Sequence, residues 1–277
     1  MYTNTKKERI IMILLIVLLC VIAYLYYYFI INPSITQSIF SDEIVRFSKD
    51  NEKTIFTIDK IIMFSNADAI DNTIEQNLQK LNICQYTDIA IYIKNRNDVE
   101  ELTEKNIVNK LYIDNIKIEA DTDKGNKIFN YKSPYNYGKF RLFEQEKFVD
   151  RIDFNVLNTN EQNRSNDYSQ PTFYTDCSNP ISLGYLNKNI VTNYAVNEEN
   201  ASNIVFNGKL LETTNINLED IKCRISFKLH IINNLKEEYV YNLKLDMPLE
   251  NEKTNIYSGN MINLRENLNN AYKLMKV

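Results

Sequence analysis

The sequence predicts a mainly β protein: a single N-terminal transmembrane helix, an antiparallel β-sandwich of Ig-like or jelly-roll-like kind, and a short C-terminal helix. Three observations carry that expectation. The run from Ile10 to Ile31 holds no charged side chain. From about residue 53 onward, apolar side chains recur at every second position. Beyond Met261 the spacing changes to every third or fourth residue.

The leading stretch reads KKERIIMILLIVLLCVIAYLYYYFIINPS, Lys6 to Ser34. At the helical rise its uncharged part spans roughly 33 Å, enough to cross a hydrocarbon core of about 30 Å. A secretory signal has a shorter apolar region and ends in small residues, and no A-x-A pattern follows here. Bulky Leu18 and Leu19 before Cys20 also argue against a lipoprotein cleavage site. Tyr24, Tyr26, Tyr27, Tyr28 and Phe29 crowd the far end, where rings settle at the headgroup level with their hydroxyls wet. Asn32-Pro33 then stops the helix, because a residue before proline avoids the helical region. The segment therefore reads as a retained anchor whose partner is the lipid bilayer.

Orientation follows from the flanking charges. Lys6, Lys7 and Arg9 stand directly before the span, whereas Arg46, Lys49 and Lys53 lie farther off among Asp42, Glu43, Asp50 and Glu52. The positive-inside rule places residues 1–9 in the cytoplasm and the C-terminal domain outside it, in a single-pass protein of the cell membrane.

After the anchor, Ile35, Ile39, Phe40, Ile44, Val45 and Phe47 suggest a juxtamembrane helix or stalk over 32–52. The sandwich is expected over 53–250. Ile89, Ile91 and Ile93 share one face of a strand, and Phe148, Ile152, Phe154 and Val156 share another. The clearest pattern is a long hairpin. Cys223, Ile225, Phe227, Leu229 and Ile231 form its apolar side, Asn233–Glu238 its turn, and Tyr239, Tyr241, Leu243, Leu245 and Met247 the returning side. Further strands fit Thr54–Phe64, Val108–Ile118, Pro171–Tyr174, Ile181–Tyr185 and Ile190–Val196. Asn187-Lys188-Asn189 reads as a turn between the last two, and a slip of phase at Asp114-Asn115 as a bulge. The loop-like stretch Asn158–Ser169 is the place for a sub-boundary. Met261, Leu264, Leu268, Tyr272 and Met275 put an amphipathic helix or tail over 251–277.

The composition narrows the chemistry. The net charge of −4 is spread along the 277 residues without a basic stripe, which argues against a nucleic-acid surface. His230, the single histidine, falls on the wet side of its strand. No G-x-S-x-G, H-E-x-x-H or glycine-rich phosphate loop occurs, so neither a catalytic residue nor a cofactor is expected. Asp121 and Asp123 have the spacing of two calcium ligands. The glycine at Gly125 comes one position early for such a loop, however, and Lys132 stands where its closing glutamate belongs, so a solvated hairpin turn is preferred. Cys84, Cys177 and Cys223 follow no disulfide framework; one bridge, Cys177 to Cys223, is compatible with the spacing.

The remaining candidates are aromatic. Tyr131, Tyr135 and Tyr137 in "NYKSPYNYGKF", with Tyr174 and Asp176 in "YSQPTFYTDCSNP", combine ring faces with polar groups, as a sugar-binding surface requires. The same residues suit the capped end of a sandwich. The expected function is thus non-enzymatic: a tethered domain that binds an envelope protein or glycan, or serves a structural role. A pilin-like or secretion-system assembly subunit is the alternative, without the glycine-ended leader such a subunit carries, and an envelope enzyme is the third reading.

Overall fold

A computed structural model describes residues 3–31, 37, 55–75, 78–95, 104–138, 147–158, 169–197, 204, 209–248, 260–264 and 274–276. The chain forms two units, Met1–Lys53 and Thr54–Val277. The first contains helix α1, Thr3–Tyr26, which continues as a π-helical turn, Tyr27–Ile31. The most apolar 18 residues of Glu8–Ile31 have a mean hydropathy of 2.9, and the side chains of this segment are exposed all round. This is one N-terminal helix long and apolar enough to span a membrane. The stalk expected over 32–52 lies outside the described residues, save Gln37.

The second unit is built of two sheets. The strands are β1 (Phe56–Glu75), β2 (Leu78–Asn95), β3 (Val108–Ala120), β4 (Asn126–Tyr131), β5 (Ile152–Leu157), β6 (Thr172–Tyr174), β7 (Ile181–Asn197), β8 (Cys223–Asn233), β9 (Glu238–Met247), β10 (Asn260–Leu264) and β11 (Leu274–Lys276). One sheet has the order β10-β1-β2-β7-β4, the other β11-β9-β8-β3-β5-β6. Every pair is antiparallel except β5 and β6, which run parallel.

The sandwich forms because each sheet presents one apolar face. Ile61, Met63, Ile89, Ile91, Leu183 and Phe129 of the first sheet share a core with Leu111, Ile225, Phe227, Leu229 and Leu243 of the second. Phe129 meets Phe227 at a ring separation of 5.6 Å, and Phe56 meets Tyr239 edge-on at 5.4 Å. The Tyr241 hydroxyl donates to the Phe56 carbonyl at 2.5 Å, so this buried ring ends on a satisfied polar atom.

A second apolar cluster continues farther along the first sheet. Ala67, Ala69, Leu81, Ile83, Ile190 and Val196 pack there with Leu210 and Leu211 of the short helix α2, Lys209–Thr213. Between the two clusters on their strands lie the buried Ser65, Gln85, Thr87 and Asn187. Ser65 and Thr87 hydroxyls are 2.7 Å apart, and Gln85 Nε2 donates to Thr87 Oγ1 at 2.8 Å. The Ser65–Thr87 bond joins directly opposed residues of β1 and β2 and closes only in the register observed.

The predicted hairpin is β8 and β9, paired from Cys223–Met247 to Ile232–Glu238, with the buried face as expected. The predicted bulge is also there: the β3–β8 register slips between Asp114 and Lys117, and Asn115 has φ of 53°. Three expectations need correction. Asn187-Lys188-Asn189 is not a turn between strands; it lies inside β7, where Asn189 (φ 57°) and Asn193 (φ 56°) bend a continuous strand. Asparagine tolerates that left-handed region, so it marks bulges as well as turns. Asp121–Gly125 is not a hairpin turn, because it carries the chain from β3 in one sheet to β4 in the other. The C-terminal helix is replaced, over the described residues, by β10 on the edge of β1 and β11 on the edge of β9. An unpaired sheet edge offers a full ladder of backbone hydrogen bonds, which outweighs helical spacing in a short segment. Residues 159–168, within the expected sub-boundary, lie outside the described residues; β5 and β6 on either side of them pair with one another.

Candidate functional site

The five aromatic and acidic candidates do not meet on one open surface. Tyr131 and Tyr174 are buried, Tyr131 with its ring edge-on to Phe154 in the core. The Tyr137 hydroxyl is spent on the Ile89 carbonyl, to which it donates at 2.5 Å. Asp176 accepts the backbone N–H of Ser178 at 2.9 Å and so holds its own turn. Only Tyr135 of this set is well exposed, at 59%. The sugar-stacking expectation for Tyr131, Tyr137 and Tyr174 therefore gives way to a structural one.

The cysteines are separate thiols, so the Cys177–Cys223 bridge is not formed. Cys177, in the turn after β6, donates to Asn95 Oδ1 at 3.3 Å, and burial pushes its thiol up to about 12. Cys223 opens β8 and faces Tyr185; burial raises both groups above their ordinary range. Neither has the lowered thiol pKa that marks a reactive cysteine. Asp121 and Asp123 are exposed, and among the described residues no three His, Cys, Asp or Glu side chains are grouped to hold a metal.

Asp121 does border a groove. Where β3 and β9 end and β8 begins, Glu119, Asp121, Lys222, Arg224, Asp246 and Pro248 line an open depression of about 900 Å³. Arg224 and Asp246 pair across β8 and β9 in a forked ion pair at 2.7 and 3.3 Å. The depression thus carries both signs of charge and suits a polar ligand better than an apolar one.

A third arrangement surrounds His230 on the outer face of the same sheet. Its ring stacks on Tyr112, the residue opposite it on β3, with centroids 4.3 Å apart and planes 8° from parallel. Nδ1 lies 2.7 Å from Glu238 and Nε2 lies 3.1 Å from Asp114. The Tyr112 hydroxyl donates to the same Glu238 oxygen at 3.0 Å, and the Arg151 guanidinium sits 4.0 Å from the Tyr112 ring centre. Burial, then the bond to Glu238, pushes the Tyr112 phenol up to about 12. The His230 bond holds the Glu238 carboxyl below its ordinary value of 4.5. A depressed carboxyl contributes stability above its unfolded pKa and loses it as pH falls through the folded value. Glu238→Gln is therefore expected to cost about 0.5–1 kcal/mol at neutral pH, and the deficit should close in acid, as pH falls through the lowered carboxyl value. Urea unfolding of both proteins at the two pH values checks this.

The fourth arrangement is buried, on the outer face of the first sheet. Lys132, just beyond β4, has no exposed side-chain surface, and Asp88 of β2 has only 2%. Lys132 Nζ lies 2.5 Å from Asp88 Oδ1. Between the two strands runs β7, whose Gly184 stands opposite both Asp88 and Asn130 and puts no side chain in the path. The other carboxylate oxygen, Oδ2, accepts the backbone N–H of Gly138 at 2.6 Å. The Tyr86 hydroxyl donates to the Gly138 carbonyl at 3.1 Å, and its ring lies 4.9 Å from Lys132 Nζ. The turn Ser133–Gly138 thus closes over the pair. Burial raises the Asp88 carboxyl and lowers the Lys132 amine, despite their mutual attraction.

Sequence reading missed this pair for a clear reason. Lys132 and Asp88 are 44 positions apart, and neither residue type announces burial. The one signal was phase: Ile128, Asn130 and Lys132 alternate with the core residues Phe129 and Tyr131, while Asp88 alternates with Ile89. Compared with known proteins, the chain matches no family model, no curated protein and no solved structure. Fold and side chains together define a two-sheet β protein with an apolar leading helix.

Proposed function

We propose that this chain is a single-pass membrane protein whose β-sandwich works outside the cytoplasm as a non-catalytic binding or structural module. The observation that supports this reading is the helical run Ile10–Ile31, apolar on every side and preceded by Lys6, Lys7 and Arg9. A helix without a polar face has no stable place in water, and the preceding cations favour a cytoplasmic start. The groove beside Arg224 and Asp246 is where such a module would take an envelope protein or a polar glycan.

The test is topological. A reporter fused after Val277 is expected to be accessible to protease or impermeant label in intact cells, and the protein to stay with membranes after alkaline extraction. A sheltered reporter, or release of the protein by alkali, overturns the placement.

A further inference from the structure

We propose that Lys132 and Asp88 condense to an intramolecular amide, a covalent cross-link between β2 and the chain leaving β4. The inference is independent of the membrane placement. It rests on four features of the buried site. The reacting groups are already in contact, with Nζ 2.5 Å from Oδ1, and both side chains are buried. Fixed contact of this kind replaces a bimolecular encounter with an internal one. Gly138 N–H is aimed at Oδ2, the oxygen that gathers negative charge when nitrogen adds to the carboxyl carbon. The closed turn Ser133–Gly138 and the Tyr86 ring keep the pair from bulk water, which would otherwise favour hydrolysis. Finally, burial disfavours both charges, so that the pair is drawn toward neutral amine and neutral acid, the forms that react.

The step balances without a co-reactant. The Lys132 Nζ lone pair adds to Asp88 Cγ, and Oδ2 carries the developing charge against Gly138 N–H. The tetrahedral centre collapses as the Cγ–Oδ1 bond breaks. Oδ1 leaves as water with the carboxyl proton and one amine proton, while Oδ2 remains as the amide carbonyl oxygen. Nothing is oxidised or reduced. The product exchanges two buried charges for one neutral amide dipole, which removes the desolvation penalty of the pair.

Mass spectrometry of the full detergent-solubilised chain decides the matter. The denatured wild type is expected to be lighter than its sequence by one water. Tryptic digestion should then yield a branched peptide joining Leu81–Lys94 to Ile128–Lys139, uncut after Lys132. Lys132→Met should show no loss. Asp88→Asn should release ammonia instead and converge on the same final mass and the same branched peptide as wild type. A wild-type mass equal to the sequence, with Ile128–Lys132 released as a linear peptide, overturns the proposal. So does a water loss without the branched peptide, which would place the dehydration elsewhere. The decisive measurement is on the wild type, so a variant that fails to fold leaves it standing.

Discussion

Replacing Lys132 by methionine should lower the stability of the sandwich by about 3–5 kcal/mol, the range for removing one partner of a buried pair. The reason is asymmetry. Asp88 would keep the Gly138 N–H at 2.6 Å but lose the cation against Oδ1, in a site where only 2% of its side chain reaches solvent. Its carboxyl, already raised by burial, would then fold only in the protonated form or with water drawn into the sheet face. Removing both partners behaves differently. Asp88→Leu with Lys132→Met takes away both charges and leaves an apolar layer beside Leu186 and Ile128, which are buried on the same face. For a purely non-covalent pair, the double variant should recover most of the loss. For a cross-linked pair it should not, because closing a loop across 44 positions contributes about 4 kcal/mol by chain entropy in the disulfide analogy. Denaturant midpoints of the wild type, the two single variants and the double variant distinguish the cases, with the m-value reporting any change in the unfolded chain.

How far the molecule was readable from its sequence depends on what each residue answers to. The β8–β9 hairpin was legible to the residue because one face is buried and the other wet, so alternation from Cys223 to Met247 states the register directly. The Asp114-Asn115 bulge was legible for the same reason: a phase slip in a half-buried strand has to be absorbed somewhere. β2 was less so. Its central residues Ile83–Ile91 are buried on both faces, so alternation with Ile89 and Ile91 makes Asp88 read as a solvent position when it is not one. The tyrosines misled for a related reason. Tyr131 and Tyr137 have ring faces and hydroxyls that suit a sugar, but the hydroxyl of Tyr137 ends on a strand carbonyl instead. The segment of β10 and β11 has helical spacing, while the edges of β1 and β9 that receive it are set by the rest of the chain. Neither cluster of charged residues was visible, since both join strands far apart in sequence: Asp88 with Lys132, and His230 with Asp114.

The second large effect is expected at Gly125, and its contrast with Gly138 isolates the cause. Both glycines have positive φ, +72° and +76°, where an L side chain costs about 1–2 kcal/mol. At Gly138 a Cβ would meet nothing within 4 Å, so Gly138→Ala should cost no more than that conformational term. At Gly125 the same Cβ would lie 2.1 Å from Asn187 Oδ1 and 2.7 Å from the Lys188 carbonyl. Neither neighbour can yield freely. Asn187 is fully buried and its Nδ2 donates to the Lys124 carbonyl at 3.2 Å, so rotating the amide away breaks a bond that ties the turn to β7. The Lys188 carbonyl is backbone, in a strand paired with β4 through Asn126. Gly125→Ala is therefore expected to cost roughly 2–4 kcal/mol, the conformational term plus the strain of an overpacked site. Thermal or urea unfolding of the two alanine variants side by side reads the difference. Equal losses would mean that Asn187 moves aside without penalty, and the crossover from β3 to β4 would not be locked by this contact.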